Sequence, residues 1–166
     1  MSKYLFIGRR IDNNQWIEGG YTEVPAPPVC MGDLKQPTHA IVAPDERYHP
    51  DWNMPYQMAL YPVKQESVSI YTGVDDTKNR HIYAGHVLEN QGAGHKKFWK
   101  RWYVVQTRNG FRLTQHFRSG EAPPTNNRAM YELKPDWIKT LDLAIVSHIS
   151  EDPDVKYEEK PSIHLN

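Results

Sequence analysis

Asn109-Gly110 separates two runs, Trp99 to Arg108 and Phe111 to Arg118, in which large apolar residues alternate with polar ones. The dipeptide suits a two-residue type I′ hairpin, whose central residues both take positive φ. That loop pairs Arg108 with Phe111, Tyr103 with His116 and Arg101 with Arg118. Trp102, Val104 and Gln106 then share one face with Leu113, Gln115 and Phe117. Arg101, Tyr103, Val105 and Thr107 share the other with Arg112, Thr114, His116 and Arg118. Arginines give charge-assisted hydrogen bonds to phosphate, while Tyr and His offer a surface for a ring. The opposing reading is a solvated strand face, or one neutralised by acidic residues of a neighbouring strand.

Other chemistry-bearing residues lead less far. His95 to Tyr103 interleaves cations with aromatics, as single-strand binders do, but lysines also protect edge strands. His81 and His86, read as members of one strand, point to opposite faces and make no metal pair. Asp75-Asp76 falls in a turn, where hydrogen bonding to the turn's own backbone explains it. There is no phosphate-cradling glycine loop, no Gly-x-Ser-x-Gly elbow, no His-Glu-x-x-His and no Cys-x-x-Cys. No metal site and no cofactor is expected. His86, His116 and His148 are the residues on which a nucleotide-cleaving enzyme would have to be built, the least supported reading.

The elements that must position these residues read as mostly β. Thirteen prolines and ten glycines break up any helical periodicity beyond about two or three turns. Tyr4 to Arg10 and Gln15 to Glu23 form an opening hairpin across Asp12-Asn13-Asn14, with Gly19-Gly20 as a bulge or a close backbone approach. A proline-rich loop, Pro25 to Pro37, precedes a short strand at His39 to Ala43. Pro44 to Pro62, with Tyr48, Trp52 and Tyr56, is a second irregular stretch. Val68 to Gly73 and His81 to Leu88 are strands flanking the turn Val74 to Asn79. Pro135 to Thr140 is one helical turn and Leu143 to Ile149 a last strand. Residues 1–150 form one domain and 151–166 a charged tail.

Composition narrows the function. The 166 residues suit one domain, and twenty Lys+Arg against twenty Asp+Glu leave no bulk charge to hold a polyanion, so any such site is a local patch. The lone cysteine, Cys30, cannot form an internal disulfide, which points to a reducing compartment such as the cytoplasm. No run approaches the roughly 18 apolar residues of a membrane span.

Three blocks resemble the YopX-like family of small phage and prophage proteins. The first is Lys3 to Arg10 followed by Asn14 to Tyr21, with its Trp16-Ile17-Glu18-Gly19. The second and most specific is Ile70-Tyr71-Thr72-Gly73 with Arg80 to Val87, and the third is Ala144 to Ile149 with Asp152-Pro153. Ala84-Gly85-His86 stands where the family usually has Glu-Gly-Asp, and Ser147-His148 where it has Gly-Asn. The resemblance implies an all-β fold with a small SH3-like barrel, long irregular loops and at most short helical turns. It also implies phage origin, action in the cytoplasm of a bacterial host and self-association.

Together these readings describe a non-enzymatic binding protein that sequesters a nucleotide-derived molecule of bacterial immunity, an anti-defence sponge. Its expected ligand-binding residues are Arg101, Tyr103, Arg112, His116, Arg118 and His86. The alternative is a regulatory module that binds nucleic acid or a host protein. A homo-oligomer is expected, and no membrane partner.

Overall fold

The computed structural model describes residues 4–25, 38–45, 57–91, 101–115 and 130–151. They are mostly β, in two antiparallel sheets with one short helix and, among the described residues, no closed barrel. The barrel expectation is thereby corrected. The chain divides into two compact units, one holding the described residues to Val74 with His81–Ala84, the other Asp75–Arg80 and the residues from Gly85 onward.

The first unit is a six-stranded sheet ordered β4-β3-β2-β1-β5-β6. Its strands are β1 (Phe6–Arg9), β2 (Trp16–Val24), β3 (Thr38–Pro44), β4 (Met58–Pro62), β5 (Ser69–Asp75) and β6 (His81–Tyr83). The opening hairpin pairs Phe6 with Gly19 and Arg9 with Trp16, as its alternation of apolar and polar residues requires. Gly19 is a close approach rather than a bulge. A Cβ there would lie 2.2 Å from the Val42 carbonyl oxygen, whereas one at Gly20 would meet nothing. Period-2 alternation in β3 and β4 puts Ile41, Ala43 and Tyr61 into a core with Val63, which follows β4, and Phe6, Ile17, Tyr21, Ala59 and Val68 pack against it. After β4, Val63 bridges to Arg10, and Ile11 N–H donates to the Pro62 carbonyl. This brings the chain back beside β1 without closing the sheet.

The second unit is ordered β10-β9-β8-β7-β11. It comprises β7 (His86–Asn90), β8 (Arg101–Thr107), β9 (Gly110–Gln115), β10 (Met130–Glu132), α1 (Pro135–Thr140) and β11 (Leu143–His148). Leu88, Trp102, Val104, Leu113 and Leu143 are buried. Pro135 opens α1 at a position where its missing N–H costs nothing, and the helix buries Ile138. The rings of Trp102, Tyr131 and Trp137 follow one another at 5.6 and 5.1 Å.

His81 to Leu88 is two strands, not one. Gly85 takes φ +81°, and a Cβ there would lie 2.7 Å from His148 Nε2, so a side-chain-free residue turns the chain from β6 in one sheet to β7 in the other. Strands β4 and β10 fall in stretches read from sequence as loops. Pro62 ends β4, at the sheet edge where its missing donor is tolerated.

Candidate functional site

The β8–β9 hairpin forms where expected, with a different register. Thr107 pairs with Gly110, Val105 with Arg112, Tyr103 with Thr114 and Trp102 with Gln115. The expected pairing of Tyr103 with His116 and of Arg108 with Phe111 is corrected. Arg108 and Asn109 are the loop residues and neither takes positive φ. Gly110, at φ +111°, follows them as the first residue of β9. The glycine thus serves after the turn instead of at its centre.

The shift is two residues, and because side chains alternate with period 2, the face assignments of the described residues survive it. Trp102, Val104 and Leu113 lie on the buried face. Arg101, Tyr103, Val105 and Thr107 share the other face with Arg112 and Thr114, all half-buried except the buried Thr114. His116 and Arg118, and the Lys96 to Lys100 part of the basic-aromatic run, lie outside the described residues.

Neighbouring strands add what the hairpin alone did not show. Glu89 on β7 stands across from Arg101, and Glu132 on β10 across from Arg112. The Glu132 carboxyl is held below the usual carboxylate range by its hydrogen bond and 2.8 Å ion pair with Lys134, with Arg112 adding to the effect. The Arg112 side chain makes no hydrogen bond among the described residues. Thr114 carries the other unspent group: its Oγ1 is sealed from solvent without a hydrogen-bond partner. Burying a hydroxyl in that state is unfavourable by about 1 to 3 kcal/mol.

His86 stands apart from this face. In β7 it alternates with Val87, which pairs with Tyr103, and so falls on the side of Leu88 and Trp102. It pairs across the ladder with His148, their rings edge-on at 5.7 Å. His148 Nδ1 accepts the Ser150 N–H at 3.2 Å. Burial, with His148 and Arg80 adding to it against the opposing charge of Asp76, depresses the His86 imidazole to about 3. It is a neutral ring at physiological pH. His81 and His86 lie on different strands of different sheets, which replaces the one-strand argument against a metal pair. Among the described residues no group of three or more His, Cys, Asp or Glu is arranged to hold a metal ion.

Asp76 is structural. Its carboxylate, with no exposed side-chain surface, accepts from the backbone N–H groups of Lys78, Arg80 and Ile145 at 2.8, 2.9 and 3.1 Å. Arg80 adds Nε at 2.9 Å and Nη2 at 2.6 Å, and Nη2 also reaches the Ile145 carbonyl. Burial works against the charge, and these donors outweigh it, leaving the carboxyl below its ordinary value.

Comparison of the chain with protein-family models, with curated proteins and with solved structures finds no match in any of the three. No helix among the described residues is long and apolar enough to cross a membrane.

Proposed function

We propose that the protein is a non-enzymatic binder of a phosphorylated, ring-bearing small molecule, held on the Arg101, Tyr103, Arg112 and Thr114 face of β8 and β9. The observation that carries this reading is a half-buried Arg112 whose side chain makes no hydrogen bond among the described residues, on one face with a half-buried tyrosine and the unpartnered Thr114 Oγ1, a hydroxyl that is covered in the free protein and that the ligand must uncover to reach. A hydroxyl left in that state is a donor waiting for an acceptor, and phosphate oxygens accept from Thr and Arg together. Glu89 and Glu132 keep the empty face near neutrality, in keeping with the chain's zero net charge. The ligand phosphate takes the arginines' hydrogen bonds, and the two carboxylates across the ladders oppose it.

The biological setting is part of the proposal and rests on the three sequence blocks that resemble the YopX-like family. In it, a phage or prophage protein acts in the bacterial cytoplasm as a homo-oligomer and sequesters a nucleotide-derived immune signal. Affinity and abundance, not turnover, are what such a sponge needs.

The test is native mass spectrometry of protein purified from bacteria, with denaturation to release small molecules. Calorimetric titration of a panel of mono-, di- and cyclic nucleotides follows. Arg101→Ala and Arg112→Ala should each weaken nucleotide binding by about 1.5 to 3 kcal/mol. Glu132→Gln should tighten it, since it removes the competing carboxylate. Equal affinity in all three variants overturns the assignment of this face. Nucleotide recovered in altered chemical form overturns the non-enzymatic reading. Retention of a polynucleotide or a bacterial protein in place of a nucleotide supports the regulatory alternative.

A further inference from the structure

The first unit carries a separate cluster of polar side chains at one end of its core. β2 and β3 pair so that Glu23 faces His39 and Tyr21 faces Ile41, and Tyr21 and Glu23, two residues apart, lie on the same side of the sheet. Tyr21 Oη is 2.8 Å from Glu23 Oε1 and 2.6 Å from His39 Nδ1. The phenol and imidazole rings stack at 6.0 Å with their planes 13° apart.

Proton counting fixes the direction of these bonds. A phenol has one hydrogen to give and a carboxylate oxygen has none. Both bonds are made together only if His39 Nδ1–H donates to Tyr21 Oη and Tyr21 O–H donates to Glu23. Burial first, then the hydrogen bond to Glu23, pushes the Tyr21 phenol up to about 12, so it keeps its hydrogen. The ring proton of neutral His39 is therefore committed to Nδ1 and the lone pair to Nε2. Nε2 has no partner among the described residues and is not sealed, the His39 side chain keeping 14% of its surface open.

We propose that Glu23, Tyr21 and His39 form a second binding site, in which His39 Nε2 accepts a hydrogen bond from the O–H or N–H group of a small uncharged ligand. His39 makes the contact, and Tyr21 and Glu23 are positioning residues that set its tautomer. Anions are disfavoured because the Glu23 carboxylate stands 3.7 Å from the imidazole. That preference is opposite to the one proposed for the arginine face, so the two sites are separable by ligand charge, and either assignment can fail without the other.

The test combines long-range nitrogen–proton NMR of the His39 ring with titration of 4-fluorophenol, an uncharged O–H donor. In the wild-type protein the ring proton should reside on Nδ1, and 4-fluorophenol should shift the Nε2 signal. Tyr21→Phe keeps the ring that packs against Phe6 but removes the relay. The proton should move to Nε2 and the affinity for 4-fluorophenol should fall about fivefold. Glu23→Ala should act likewise, because the freed phenol hydrogen then turns to Nδ1, while Glu23→Gln, which keeps an acceptor oxygen, should retain the wild-type tautomer. A wild-type ring with its proton on Nε2 overturns the proposal. So does a 4-fluorophenol response that Tyr21→Phe leaves unchanged, or one that acetate reproduces.

Discussion

Asp76→Asn is the sharpest probe of what holds the second unit together. The substitution keeps the shape of the side chain but turns one acceptor oxygen into an NH2 group, and both oxygens are fully used. Oδ1 accepts from Lys78 N and Arg80 N, and Oδ2 from Ile145 N and the Arg80 guanidinium. Whichever way the amide turns, donors face donors. Removing one partner of a buried ion pair is destabilising by about 3 to 5 kcal/mol. Arg80 retains 46% of its side-chain surface in solvent and can rehydrate, whereas the backbone N–H groups cannot, so the loss should lie near about 3 kcal/mol. The assay is urea unfolding followed by tryptophan fluorescence, to which the buried Trp102 contributes. Asp12→Asn, at an exposed carboxylate that pairs with Arg10, serves as the control whose midpoint should not move. The wild-type protein should also show the linked pH dependence. The folded carboxyl titrates below its ordinary 3.8, so this stabilisation is present above that pH and is lost as pH falls through the folded value. A loss under about 1 kcal/mol in Asp76→Asn, with an unchanged denaturant slope, would refute the reasoning.

Three further outcomes are expected. Gly19→Ala should lower the melting temperature, because its Cβ meets backbone of β3 at 2.2 Å, while Gly20→Ala, with open space above it, should not. His86 titrates at about 3 when folded against an ordinary 6.5, so the unfolded chain binds the extra proton. Stability should fall as pH drops from about 6.5 toward 3, and His86→Gln should flatten that limb of a pH series of thermal melts. Thr114→Val removes an unpartnered buried hydroxyl without changing shape, so it should leave the folded protein as stable or more stable by about 1 kcal/mol. The same variant should bind nucleotide more weakly, and unchanged nucleotide affinity would take Thr114 out of the proposed site.

The sequence was most legible where a short-range rule decides the outcome. The opening hairpin, β3, the turn that Asp76 organises, the single turn of α1 and β11 all follow from alternation, turn chemistry or a proline at a helix start. It was least legible where a strand owes its existence to a distant neighbour. Met58–Pro62 carries a proline and two exposed apolar residues, Met58 and Leu60, and only its ladder with β3 makes it a strand. His81 to Leu88 reads as one run because nothing local says that the close packing of Gly85 against His148 turns the chain there. The Glu23, Tyr21 and His39 relay was hidden for the same reason: Glu23 and His39 are brought face to face by a ladder whose register no local signal fixes.

The β8–β9 hairpin shows what a wrong register does and does not spoil. Placing the loop at Asn109-Gly110 instead of Arg108-Asn109 misassigned every cross-strand pair, yet the arginines, Tyr103 and Thr114 still fell on one face, because a two-residue slip preserves the pleat. What the slip changed is the electrostatic argument. An Arg101 facing Arg118 would be a repulsive pair that calls for an anion between its members. An Arg101 facing Glu89, with Arg112 facing Glu132, is balanced without one. The case for a ligand thus moves from unbalanced charge to the hydrogen-bonding capacity this face leaves unspent, the Arg112 guanidinium and the Thr114 hydroxyl. A site built on charge alone would lose its ligand steadily as salt rises. Here two arginines still meet the phosphate, so affinity should fall as salt rises, and Thr114→Val should weaken binding further, by about 0.5 to 1.5 kcal/mol at every salt concentration.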